Sequence, residues 1–312
     1  MVRTLVYRTI SLHGVKTPGI IENGVYHFTY FDVYEDGRVA NWNFEDFEHF
    51  IKDVQNGWVV TNIPDGKEFS CYNLGAWNIT AGRWYYTPES YIAYIKSLVL
   101  ELNPNWTNIH TYQERRVNGV VVGESGSGTL YKEDTVDVDV FFPKKVKGEH
   151  HSLFYCIENN YYLVSILLFK DKSIIIHGCG EEKVIDFDVL RQLIDQGVVC
   201  STLPIGARVI IENLGEFTTT EESYSNDIED LFAGLEDDYR KLNGEKSLND
   251  LCLDVFDAYQ ANPSDELKEA LKLAYERVPE HLRMYLGDMD TRDSEIIEII
   301  YGPDYWDNED IE

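Results

Sequence analysis

Ile21-Glu22-Asn23-Gly24-Val25-Tyr26 returns as Ile157-Glu158-Asn159-Asn160-Tyr161-Tyr162, and Asn56-Gly57-Trp58-Val59-Val60 returns as Gln196-Gly197-Val198-Val199-Cys200. From the second stretch onward the copies hold one offset of 140 residues: Ile63-Pro64 stands against Leu203-Pro204, Gly66 against Gly206, and Leu74-Gly75 against Leu214-Gly215. A register kept over glycines, a proline and apolar positions together implies two copies of one supersecondary unit.

Each copy reads the same way. Val25 to Tyr34 alternates as a strand, Glu35-Asp36-Gly37-Arg38 is a turn signal, and Val39-Ala-Asn-Trp returns. In the second copy Tyr161 to Phe169, Lys170-Asp171-Lys172-Ser173 and Ile174-Ile-Ile-His do the same. Phe47, Phe50, Ile51 and Val54, and likewise Phe187, Leu190 and Ile194, recur at helical spacing before Gly57 and Gly197, which stop the helices. Strand pairs follow, and a second helix closes each unit, capped in the first copy by Thr87 with Pro88 at its first position. The expected fold is therefore α+β: two tandem ββαββα copies related by a pseudo-twofold axis (residues 1–102 and 154–243), an inserted hairpin or loop segment (103–153), and a helical acidic C-terminal region (244–312). In the insert, Gly123-Glu-Ser-Gly-Ser-Gly-Thr reads as a flexible loop or hairpin tip and Val136 to Phe142 as an alternating strand. In the last region, Leu248, Leu251, Val255, Phe256 and Tyr259 form one apolar stripe; Ser264 caps the next helix, Pro279 breaks it, and Gly287 and Gly302 end two short helical turns.

Charge is the compositional anomaly. The 312 residues carry 27 Lys plus Arg against 55 Asp plus Glu, a net charge of −28. Residues 221–312 alone hold 27 acids and 8 bases, net −19. Such a surface repels nucleic-acid phosphates and anionic membrane and attracts a basic protein. Five cysteines, odd in number and never spaced Cys-x-x-Cys, point to free thiols in a reducing compartment. With no apolar h-region at the start and no stretch of 18 uncharged apolar residues, the expected location is the cytoplasm.

No motif nominates a catalytic group. Asp288-Met-Asp290-Thr-Arg-Asp293 suggests a calcium loop, yet the sixth position is Asp293 rather than glycine and the twelfth is Ile299, so a helix cap is the better account. His150-His151 and His177-Gly-Cys179 lack partners at zinc spacing. The phosphate-loop, dinucleotide and nucleophile-elbow patterns are missing. No metal and no cofactor is expected.

Two groups of residues stand as binding candidates. Asp250, Asp254 and Asp257 share one helical face opposite the apolar stripe; Asp230, Glu236, Asp237 and Asp238 decorate the helix before; Asp288, Asp290, Asp293 and, in the acidic tail, Trp306 follow. A helix rises about 1.5 Å per residue and duplex DNA carries a charge about every 1.7 Å, so stacked acidic helices approximate a phosphate array by DNA mimicry; a solvated face explains the same residues. Trp42, Trp58, Trp77 and Trp84 lie in the first copy and offer a small-ligand or carbohydrate platform, or simply core, since Val198 and Phe217 stand opposite Trp58 and Trp77.

Gly19 to Thr29, Asn56 to Gly66, Leu74-Gly-Ala-Trp77 and Val278-Pro-Glu-His-Leu-Arg-Met-Tyr-Leu-Gly-Asp-Met-Asp290 resemble an uncharacterised family of acidic bacterial and phage proteins of the immunity or counter-defence kind. The resemblance spans roughly the first hundred and last forty residues, brings no catalytic residues, and implies a binding protein. The expectation is a non-enzymatic inhibitor that neutralises a basic partner, such as a nuclease toxin or defence enzyme, by charge complementarity, without touching nucleic acid or membrane. The ligand-binding module is the alternative, a carboxylate-pair hydrolase a third, and homo-oligomerisation stays open.

Overall fold

The computed structural model describes residues 12–41, 44–117, 120–126, 147–287, 294–303 and 305. Trp42, the strand expected over Val136–Phe142, Asp288, Asp290, Asp293 and Trp306 lie outside them.

The protein is a mixed α/β fold. In chain order the elements are β1 (Gly14–Asn23), β2 (Val25–Tyr34), β3 (Val39–Ala40), β4 (Phe44–Glu45), α1 (Phe47–Asn56), β5 (Val59–Val60), β6 (Glu68–Cys71), β7 (Gly75–Trp84), α2 (Pro88–Leu102), β8 (Thr111–Val117) and β9 (Val120–Gly126). There follow β10 (Gly148–Ile157), β11 (Asn160–Phe169), β12 (Ile174–His177), β13 (Lys183–Ile185), α3 (Phe187–Asp195), β14 (Val199–Cys200), β15 (Arg208–Ile211), β16 (Gly215–Ser225) and α4 (Ile228–Leu242). The last helices are α5 (Leu248–Ala261), α6 (Asp265–Glu276), α7 (Glu280–Arg283), running into a 3-10 turn at Met284–Leu286, and α8 (Ser294–Tyr301). Strands β1 and β10 go beyond the strands expected from the sequence, and Gly123–Gly126 belongs to β9 rather than to a loop or hairpin tip.

The chain divides into two compact units, one of Met1–Lys145, Ile157–Leu163 and Leu203–Tyr224, the other of Val146–Cys156, Val164–Thr202 and Ser225–Glu312. In the first, the strand order is β5-β1-β2-β6-β7-β16-β15, with Asn160–Tyr162 of β11 beside β15; β3 and β4 extend β2, and β8 and β9 form their own hairpin. Most neighbours are antiparallel, but β2 runs parallel to β6 and β11 parallel to β15, because α1 and α3 lie in the respective crossovers. The core holds Phe31, Phe69, Trp77, Tyr91 and Phe217, each at most 2 % exposed. Burial of one such ring is worth about 1.5–3 kcal/mol.

Matched positions carry matched backbone. Asp46 and Asp186 cap α1 and α3 by accepting from His49 N and Val189 N, both at 2.9 Å. Gly57 and Gly197 follow in the left-handed region (φ 79° and 69°), which glycine adopts without a Cβ penalty. Asn73 and Asn213 (φ 58° and 60°) turn β6 into β7 and β15 into β16. Glu22 N donates to Trp58 O (2.9 Å) as Cys156 N does to Val198 O (2.7 Å). At the hairpins the halves part: Glu158 and Asn159 both have positive φ, the pattern of a type I′ turn, whereas β1 and β2 turn at Gly24 (φ 81°).

In the second unit β14 pairs with β10, β10 with β11, β11 with β12, and β12 with β13. The C-terminal helices have a core of their own: α5 packs on α6, α6 on α8, and Cys252, Leu271, Tyr275, Val278, Leu286, Ile296, Ile297 and Ile300 are buried together. Ser264 caps α6 as the sequence leads one to expect, and Ser247, which the sequence reading does not single out, caps α5 in a reciprocal box with Asp250.

Candidate functional site

Helix α5 turns its apolar stripe to α6 and its acids outward, so Asp250, Asp254 and Asp257 are all exposed on one face. Two of them already have work in the fold. Asp250 accepts from Ser247 N (3.2 Å) and Ser247 Oγ (2.7 Å), which holds its carboxyl below the usual range. Asp254 pairs with Lys246, whose ammonium pKa is raised by that bond. Asp257 has neither kind of partner among the described residues. Exposed Asp265, Glu266, Glu269 and Glu276 on α6 and Glu295 and Glu298 on α8 extend the same negative character.

The acids of α4 behave differently. Glu236 is exposed, but Asp237 is 1 % exposed: its Oδ1 accepts from Leu248 N at 2.8 Å and its Oδ2 lies 3.6 Å from Lys241 Nζ. Asp237 therefore caps the entry to α5 and offers no surface to a partner. Asp238 is half-buried against His151, whose Nε2 is 2.9 Å away but off the line of its N–H, and against Lys241 Nζ at 2.6 Å. Burial alone would raise its carboxyl pKa; the imidazole and the ammonium outweigh burial and lower it. Asp230 accepts from Glu280 N at 3.3 Å, tying α7 to α4. Nearby, His281 packs its ring over Gly234, where a Cβ would stand 3.3 Å from it, and burial depresses its pKa. This histidine-carboxylate-lysine cluster was invisible in sequence because β10, α4 and α7 supply it from positions far apart in the chain; His150-His151 was the single signal.

Of the tryptophans, Trp77 is 1 % exposed and donates its indole N–H to Glu222 Oε2 at 3.1 Å. Trp84 is half-buried with its ring 6.1 Å from Phe217, and Trp58 is half-buried just before β5. Trp77 thus serves the core and has no open face for a ligand. Among the described residues no group of three or more His, Cys, Asp or Glu is placed to hold a metal ion, and no helix is long and apolar enough to cross a membrane. All five cysteines are thiols outside any disulfide; burial, with Cys156 close by, pushes the Cys200 thiol up to about 11.

The protein is thus a mixed α/β sheet protein carrying a separate acid-faced set of helices. It belongs to the family described as Domain of unknown function (DUF7638), whose model matches residues 1–106 and 137–246. A second model, Domain of unknown function (DUF7639), matches residues 247–311. The junction between the matches falls at Ser247, the cap of α5. Comparison with curated proteins and with solved structures gave no match.

Proposed function

We propose that residues 14–102 and 148–242 are two copies of one ββαββα-type unit related by a pseudo-twofold axis, and that the chain is a non-enzymatic cytoplasmic inhibitor of the immunity or counter-defence kind. Support for the duplication lies in the paired caps, turns and crossovers, and in two family segments of similar length, 1–106 and 137–246. The contacts between β7 and β16 add to it. Trp77 meets Glu222, Asn78 meets Glu221, Gly75 faces the Tyr224 carbonyl and Gly215 faces Arg83 and Trp84. An offset of 140 carries Gly75 onto Gly215 and Trp84 onto Tyr224, so exchange of the two strands reproduces the pairing.

The inhibitor reading rests on one observation: Asp250, Asp254 and Asp257 stand exposed on one face of α5, in a region of net −19. A face of that sign attracts a basic protein surface such as the nucleic-acid-binding side of a nuclease, and accelerates its approach at low salt.

The test is capture with tagged wild type and with an Asp250→Asn, Asp254→Asn, Asp257→Asn variant from host lysate at low and high salt. A basic, nucleic-acid-handling protein retained by wild type, released by salt and lost by the variant is the expected result. Its purified form should then bind with an association rate that falls as ionic strength rises. Equal retention by both proteins, or a rate indifferent to salt, would refute the charge-driven inhibitor.

A further inference from the structure

The two ends of the β7–β16 pair carry opposite charge. At one end Glu68 accepts from Ser223 Oγ at 2.6 Å, and Asn78 and Glu221 lie in contact at 3.5 Å. The positions 140 residues away from Glu68, Ser223 and Asn78 are Arg208, Arg83 and Thr218. They line an open hollow of about 340 Å³ together with Ala81, Glu216 and Phe217. In a chain with twice as many acids as bases, two arginines meet here over one carboxylate.

That carboxylate is over-subscribed. Glu216 is 16 % exposed, takes an ion pair from Arg208 Nη2 and sits 3.7 Å from Arg83 Nη1. Arg208 is held in place by a second bond, Nη1 to Asn160 Oδ1 at 3.2 Å, which leaves further N–H groups of its fork undirected. The Arg83 side chain, 83 % exposed, makes no hydrogen bond among the described residues, and neither does the Thr218 hydroxyl, which stands directly opposite Arg208 in the β15–β16 register. Phe217, 2 % exposed, closes the floor. The hollow thus presents one net positive charge, spare planar donors and a hydroxyl, with a side chain already holding one guanidinium in orientation.

We propose that this hollow binds a small oxyanion, a carboxylate or phosphate group, between Arg83 and Arg208 with Thr218 as a third donor. Arginine suits either group because its parallel N–H donors match two oxygens at once. The site is distinct from the acidic face of α5, and stands or falls separately from the inhibitor reading.

NMR titration of the full chain with inorganic phosphate and, separately, sodium acetate, each against sodium chloride at equal ionic strength, reads the site through the arginine Nε–Hε and Thr218 signals. Saturable shifts are expected with at least one probe. Binding should weaken about two- to fivefold in each of R83Q and R208Q, as exposed charge pairs do, and tighten in E216Q, which removes the internal competitor. A phosphate response alone assigns a phosphorylated ligand; a response to acetate as well assigns a carboxylate. Shifts no larger than with chloride, or affinity unchanged in R83Q, would overturn the proposal. The rise in E216Q separates binding from structural damage, which would lower affinity in every variant.

Discussion

Residues 14–102 and 148–242 build the same elements in the same order, and the positions at which they agree differ in kind from those at which they do not. Agreement falls on backbone-setting residues: Asp46 and Asp186 at caps, Gly57 and Gly197 at helix stops, Gly66 and Gly206 (φ 78° and 82°) and Asn73 and Asn213 at turns. Divergence falls on what fills or faces outward: Trp77 against Phe217, Glu68 against Arg208, Ser223 against Arg83. The difference teaches that the element order the two segments share goes with a few turn and cap positions, while their side-chain chemistry changes sign from one segment to the other. This separation gives the comparison its breaking points.

The largest effect is expected at the shared aromatic position. Trp77 and Phe217 are 1 % and 2 % exposed, so Trp77→Ala and Phe217→Ala should each cost about 3–5 kcal/mol by urea denaturation, because transfer and cavity terms add. Trp77→Phe, which installs the counterpart residue, should cost clearly less: Glu222 is exposed, and water replaces the lost indole N–H. A cost for Trp77→Ala below about 1 kcal/mol would show that the position is not core and would reopen the tryptophan platform.

Next come Gly75 and Gly215. A Cβ at Gly75 would lie 2.6 Å from the Tyr224 carbonyl, and one at Gly215 2.8 Å from the Arg83 carbonyl, backbone against backbone across the β7–β16 pair. Gly75→Ala and Gly215→Ala should each cost about 1–3 kcal/mol by overpacking. Equal losses sharpen the equivalence of the halves. A loss at one position only would count against the proposed equivalence.

Much of this was legible in the sequence. Glycines, prolines, caps and helical stripes are local signals, and they placed α1, α3 and the C-terminal helices α5 and α6 near their observed bounds. Strand β1 escaped because Gly14-Val-Lys-Thr-Pro18 mixes a glycine, a lysine and a proline with few apolar residues, and is held as a strand by pairing along its whole length with β2. Asp237 was read as a surface acid from composition; its inward turn depends on the N–H of Leu248, a contact no periodicity encodes. The Arg83–Arg208 hollow escaped for the same reason, although loss of the acid expected opposite Glu68 at the repeat offset was already visible.

The smallest effect separates two caps that the proposed repeat makes equivalent. Among the described residues Asp186 receives Val189 N alone, so Asp186→Ala should cost the ordinary amount for an N-cap, about 0.5–2 kcal/mol. Asp46 receives more: His49 N at 2.9 Å, His49 Nδ1 at 2.7 Å and Tyr112 N at 2.6 Å, the last holding the start of β8. Burial alone would raise the Asp46 pKa, and these three bonds outweigh burial and lower it. A carboxyl depressed on folding contributes stability that is whole above its unfolded value, near 3.9, and drains away as pH falls through the folded one. Asp46→Asn should therefore flatten the acid limb of the stability curve below about pH 4, where wild type and variant converge. Curves that stay parallel through and below that range would mean the carboxylate is no better held folded than unfolded, and would reduce Asp46 to the same simple cap as its counterpart.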